Sequence, residues 1–142
     1  MRVSAKAEYA CVAVLELAAS YGNVQPVRVK TIADAHGISL RFLVQILLQL
    51  KGAGLVVSTR GAAGGYHLTR PPEKISLADV IHVIERPPSR GNAALPQSAA
   101  LRAIRNVWQE IQAEEQRILE EVTFADLVRQ AQQSTSGLSY QI

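Results

Sequence analysis

One cysteine, Cys11, stands in a chain of 142 residues. A disulfide within the chain is therefore excluded, and so is a metal site built from several thiolates of one chain. Long apolar runs are also missing. The longest mostly apolar stretch, Tyr9 to Ala19, falls short of the roughly 18 residues needed to cross a bilayer, and it contains Glu16. The opening residues lack the charged start, apolar stretch and small-residue cleavage site of a secretory signal. The expectation is a cytoplasmic protein with no membrane contact. Hydrophobic residues at 48% and charged ones at 19% describe an ordinary globular chain, long enough for one compact core with an appended helix.

A catalytic set is absent as well. His36, His67 and His82 have no Cys, Asp or Glu partner at metal-ligand or triad spacing, so their expected roles are surface polarity and ordinary hydrogen bonds. The glycine-rich stretch Gly61–Gly65 lacks the Lys-Ser/Thr and following helix of a phosphate-cradling loop. Neither an enzyme nor a cofactor is expected.

Charge is unevenly distributed. Residues 1–70 carry eight basic and three acidic groups, whereas residues 71–142 carry seven basic and nine acidic ones. A basic half joined to a mildly acidic half points to a polyanionic partner for the first half. The competing explanation is a scatter of solvated charges.

Ser4 to Ser20 reads as a helix, capped by Ser4 and stopped at Tyr21-Gly22-Asn23, with apolar residues so dense that more than one face must be covered. Cys11 lies within it as a small buried hydrophobe; a redox role is the alternative. Val29 to His36 reads as a short helix ending at Gly37. A second helix follows from Ser39 to about Lys51, with Leu43, Ile46, Leu47 and Leu50 on one side and Arg41, Gln45 and Gln49 on the other. Ile38 is placed to staple onto Leu43. Leu55 to Arg60 and Tyr66 to Thr69 form a β-hairpin around a glycine-rich tip. Ser76-Leu77-Ala78-Asp79 opens a further helix through Ile84, stopped by Pro87-Pro88.

Residues 86–98 read as a linker or loop, and a long helix follows from about Ala99 to Val122. Its Leu101, Ile104, Trp108, Ile111, Glu115, Ile118 and Val122 are separated alternately by 3 and 4 residues, and six of the seven are apolar. This is a coiled-coil seam on a helix on the order of 35 Å long. A partner helix from a second copy is the expected cover; packing against the first helix is the alternative. Thr123-Phe124-Ala125-Asp126 begins a short last helix, and the polar tail from Gln132 is expected to be loose.

Ala33, Gly37 and Leu43 have helix-turn-helix spacing: a small residue where the helices touch, a glycine for the positive φ of the turn, and an anchor for the second helix. Helix, turn, helix and then a glycine-tipped hairpin is the order of a winged helix. The expected fold is mainly α: a winged helix-turn-helix domain over 1–85, the loop 86–98, a long dimerisation helix and short final helix over 99–131, and a tail over 132–142. Double-stranded DNA fits this domain. Arg41 is placed to reach guanine and Gln45 adenine in the major groove, Ser39 suits a phosphate, and Arg60 borders the minor groove. Lys30 joins the same face, and Gly61, Gly64 and Gly65 would let the hairpin tip approach the backbone of DNA. Solvated surface charge is the competing explanation for Lys30, Arg41 and Arg60. A protein-interaction module with little DNA binding is the competing function.

The run Ile38-Ser39-Leu40-Arg41-Phe42-Leu43-Val44-Gln45, then Gly54-Leu55-Val56, Arg60-Gly61-x-x-Gly64-Gly65-Tyr66 and Pro71-Pro72-Glu73-x-Ile75-Ser76-Leu77-x-Asp79-Val80-Ile81 resembles the Rrf2 family of bacterial regulators. Trp108 and Thr123-Phe124-Ala125-Asp126-Leu127 extend the resemblance over nearly the whole chain. It implies a homodimeric winged-helix transcriptional regulator, expected to repress, with long helices crossing between subunits through Leu101, Ile104, Trp108, Ile111, Ile118 and Val122. Through the hairpin motif it also brings Tyr66 into the DNA-binding set. Two departures stand out. Iron–sulfur members carry three cysteines between the post-wing helix and the long helix, and residues 87–98 here have none, so a cluster of that kind is not expected. Glu8, near a position that supplies a cluster ligand in some relatives, is then ordinary helix surface. Many relatives have glutamate where this chain has Val44, which favours a thymine methyl over cytosine. Relatives without the cysteines imply control by a small ligand or a partner protein, such as a cysteine-synthase complex. The loop 86–98 and the cleft between the long helix and the wing domain are the expected places.

Overall fold

The computed structural model describes residues 1–85 and 98–139. Six helices and one hairpin lie among them: α1 (Ala5–Ala19), α2 (Val29–His36), α3 (Leu40–Gly52), β1 (Val56–Thr59), β2 (Gly65–Leu68), α4 (Leu77–Ile84), α5 (Ala99–Glu121) and α6 (Phe124–Ser139), with a 3-10 turn at Pro72–Lys74. This mainly helical winged-helix architecture is the expected fold class.

Local chemistry sets most boundaries. The Ser4 hydroxyl accepts from the Ala7 amide at 3.0 Å and starts α1. Between α2 and α3, Gly37 takes φ +64°, and the amides of Gly37 and Ile38 both donate to the Ala33 carbonyl, which closes the turn within two residues. Ser76 and Asp79 form a reciprocal capping box at the start of α4. Thr123 and Asp126 repeat it at the start of α6, with bonds of 3.0 and 3.2 Å. These two starts lie side by side, because Leu77 donates to the Val122 carbonyl and Phe124 to the Ile75 carbonyl. The chain thus leaves the domain along α5 and returns to it at Phe124.

The core gathers Ala10, Val14 and Leu17 of α1, Ile32 of α2, the α3 stripe, Leu55, Val56, Leu68, Ile75, Val80 and Phe124. The hairpin is antiparallel, with Val56 opposite Leu68 and Thr59 opposite Gly65, so Val56 and Leu68 close the core from the wing side.

One expectation is corrected. The final helix does not end near residue 131 with a loose tail from Gln132 but continues to Ser139. Ala131, Gln132 and Gln133 are good helix formers, and α6 lies along α1 with Val128 against the core, so the helix runs on through Gly137. The expected loop 86–98 lies outside the described residues except for Ser98, whose hydroxyl accepts from the Leu101 amide and caps α5.

Candidate nucleic-acid interface

Leu43, Ile46, Leu47 and Leu50 are completely buried, and this fixes the rotation of α3 about its axis. At 100° per residue the opposite side carries Arg41, Gln45 and Leu48, all exposed. Arg41 and Gln45 were expected there. Leu48, 54% exposed, was missed; its place seven residues after Arg41 and three after Gln45 was the available signal. Phe42 packs edge-on against Tyr9 of α1, with centroids 5.9 Å apart, and holds the start of α3 in place. The Ser39 hydroxyl accepts from the Phe42 amide at 3.4 Å, which leaves its own proton to donate outward. Val44 is half-buried at the flank of this face, and Lys30 is exposed in the first turn of α2.

In the wing, Arg60 is exposed immediately after β1. The glycines beyond it answer to their own chain. A Cβ on Gly64 would lie 2.3 Å from the Thr59 carbonyl oxygen, and one on Gly65 would lie 2.2 Å from that of Val27. Their lack of a side chain is thus explained by the folding of the wing, without reference to DNA. Tyr66 is half-buried against the core, and its main chain exchanges two hydrogen bonds with Val27. It bolts the wing to the segment ahead of α2. Arg28 was not singled out from sequence; its guanidinium donates to the Ala62 carbonyl at 2.8 Å. Lys51 is engaged too, donating to the Ser58 hydroxyl at 2.7 Å.

The long helix α5 packs against α4, with a His82–Gln116 hydrogen bond of 3.1 Å, and buries none of its residues. The alternative that its seam packs against α1 is not what is observed. Ile104, Trp108, Ile111 and Ile118 are exposed, and Leu101 and Val122 half-buried. Val107, equally exposed beside Trp108, widens the strip and was missed because it lies off the strict seam.

Cys11 is half-buried, and burial, aided by Glu8 and Glu85, pushes its thiol up to about 11. Such a thiol is almost wholly protonated at neutral pH and a poor nucleophile. His36 meets Glu16 at 2.8 Å across α2 and α1, an exposed pair that sequence spacing did not reveal. A groove of about 580 Å³ runs between α1 and α6, lined by Leu15, Glu16, Ala19, Val128, Ala131 and Gln132 among others. It lies apart from the cleft expected to take an effector.

A short helix-turn-helix presenting an exposed polar face, a wing braced beside it, and a separate long helix with an uncovered apolar strip together define a winged-helix transcriptional regulator. The comparisons narrow the class. The family model Rrf2, described as an iron-dependent transcriptional regulator, matches residues 3–130, and the chain belongs to the Rrf2 family. A Mycobacterium tuberculosis protein assigned to the helix-turn-helix transcriptional regulators is 44% identical over 132 residues, covering 89% of this chain and 81% of its own. The solved structure of CymR, titled the global cysteine regulator of Bacillus subtilis, matches with a TM-score of 0.81 at 34% identity over 91% of this chain and 97% of that one. The IscR structure from T. potens gives 0.79 at 34% identity over 94% and 90%. These relatives are transcriptional regulators and not enzymes.

The iron in the family description does not fit this chain. It has one cysteine, protonated inside α1, and no group of three His, Cys, Asp or Glu side chains able to hold a metal lies among the described residues.

Proposed function

We propose that the protein is a cytoplasmic, homodimeric repressor that binds double-stranded DNA sequence-specifically, without an iron–sulfur cluster, under the control of a small ligand or a partner protein. The observation that carries this reading is the joint exposure of Arg41 and Gln45 on the outward side of α3 and of Arg60 at the wing, while the opposite stripe of α3 is wholly buried. Arg41 offers a bidentate fork to guanine, Gln45 a donor and acceptor to adenine, and Ser39 and Lys30 face phosphates. Arg60 suits the negative potential of a narrow minor groove. Gly64 and Tyr66 serve this surface indirectly, by shaping and seating the wing.

Two such modules on one duplex require two chains. The strip Leu101, Ile104, Trp108, Ile111, Ile118 and Val122, exposed at its middle four residues, supports pairing through α5, because an apolar strip of that length left in water costs free energy that a second copy removes. No helix among the described residues is long and apolar enough to cross a membrane. The groove between α1 and α6 has room for a small effector.

The test is a mobility-shift titration at low salt on DNA selected from random sequence by the wild-type protein. Arg60→Ala weakens binding broadly, and Arg41→Ala weakens it with a changed sequence preference, each by about tenfold or more. Equal affinity for wild type and both variants would refute the assignments, and a gentle salt dependence would favour a protein partner instead.

A further inference from the structure

Arg28 occupies the N-cap position of α2, where a short polar side chain would ordinarily satisfy a free amide. Its side chain makes no cap hydrogen bond. Instead it reaches across 34 residues of sequence, and Nη2 donates to the Ala62 carbonyl in the wing tip at 2.8 Å. Its neighbour completes the junction. Val27 and Tyr66 exchange main-chain hydrogen bonds of 3.0 and 2.8 Å, and Gly65 comes too near Val27 to bear a side chain. The start of β2 and the tip of the wing are thereby tied to two adjacent residues that lead directly into the helix-turn-helix.

A lone two-stranded hairpin is marginal in water, and here each strand has only four residues. Its direction is therefore set by what holds its ends. Val56 and Leu68 hold its base in the core, Lys51 reaches Ser58 of β1 and Val27 pairs with Tyr66 of β2, while among the described residues Arg28 makes the hydrogen bond that ties the tip itself to the rest of the domain. Arg60 stands two residues before Ala62, exposed and without a hydrogen bond or ion pair among the described residues.

We propose that Arg28 is a positioning residue: it holds the wing at the angle that presents Arg60 to DNA and does not itself neutralise a phosphate. The proposal rests on the DNA-binding reading above, so its test has one arm without DNA. Trypsin cleavage after Arg60 in the free protein should be about fivefold faster in Arg28→Ala than in wild type, at an unchanged melting temperature, as expected for loss of one exposed hydrogen bond. The second arm is a double-variant cycle on DNA affinity. Arg28→Ala and Arg60→Ala should each weaken binding about tenfold, while the combined variant is no weaker than Arg60→Ala and keeps its salt slope. Losses that multiply, with the slope falling by a further phosphate, would make Arg28 a direct DNA contact and overturn the proposal. Unchanged cleavage and unchanged affinity in Arg28→Ala would overturn it too. Wild-type protein with no DNA affinity would remove this role together with the DNA reading, and faster cleavage in Arg28→Ala would then place the failure in that reading and not in the junction.

Discussion

In α3 the stripe Leu43, Ile46, Leu47 and Leu50 is 0% exposed, whereas in α5 the residues Ile104, Trp108, Ile111 and Ile118 keep 45–58% of their surface in water. Both helices carry apolar residues at helical spacing, and both begin with a serine cap. They differ in neighbours. α3 has α1, α2, α4 and the wing within its own chain, while α5 meets chiefly α4. Periodicity states that a face is to be covered but not by which chain, and α5 is the element whose apolar residues stay exposed among the described residues.

The sharpest way to break this contrast is truncation inside each stripe. Leu47→Ala should lower unfolding free energy by about 2–5 kcal/mol through cavity formation, and the loss should persist at every protein concentration in a urea titration. Trp108→Ala should act elsewhere. Sedimentation should show dimer association weakened by about 2–4 kcal/mol, with a melting temperature that depends on concentration and loss of DNA binding at nanomolar protein. If Trp108→Ala leaves both association and DNA binding unchanged, the two stripes do not differ in the way described. A smaller effect is expected where α5 rejoins the domain. Ser76→Ala removes one half of a capping box and should cost about 1 kcal/mol in a thermal melt.

At the same junction the Thr123 amide, donating to Asp126, holds that carboxyl below the usual aspartate range, with the Thr123 side chain helping. A depressed pKa contributes stability that is present above the unfolded value of about 3.9 and is lost as pH falls through the folded one. Asp126→Asn should flatten the acid limb of the stability curve below about pH 4. The smallest effect lies on the covered side. With its thiol near 11, Cys11 should resist iodoacetamide at pH 7.5 in the folded protein and react only when the chain is unfolded in urea.

The helix-turn-helix was legible because its marks are local. Gly37, Ser39 and the α3 stripe lie within 14 residues, and the phase of that stripe alone turns Arg41 and Gln45 outward. The wing was legible as a hairpin but not as a mechanism. Gly64 and Gly65 look like residues that admit DNA until their distances to the Thr59 and Val27 carbonyls are known. Arg28 and Tyr66 meet their partners 34 to 39 residues away, and no spacing rule forecasts such a meeting. The length of α6 was underestimated because a polar surface on a helix resembles a loose tail when the helix it lies against is not known.

Sequence alone determined the order of the elements, the caps that start them and the direction in which each stripe faces, because caps, glycine turns and helical periodicity act between residues a few positions apart. Tertiary structure decided that the wing is tied down through Val27 and Arg28, that Phe124 returns to the core, that the Cys11 thiol stays protonated and that Ile104, Trp108, Ile111 and Ile118 of α5 are exposed among the described residues. Each of these depends on which distant segments come into contact, and burial and hydrogen bonding across such distances exist only once the chain has closed around its core.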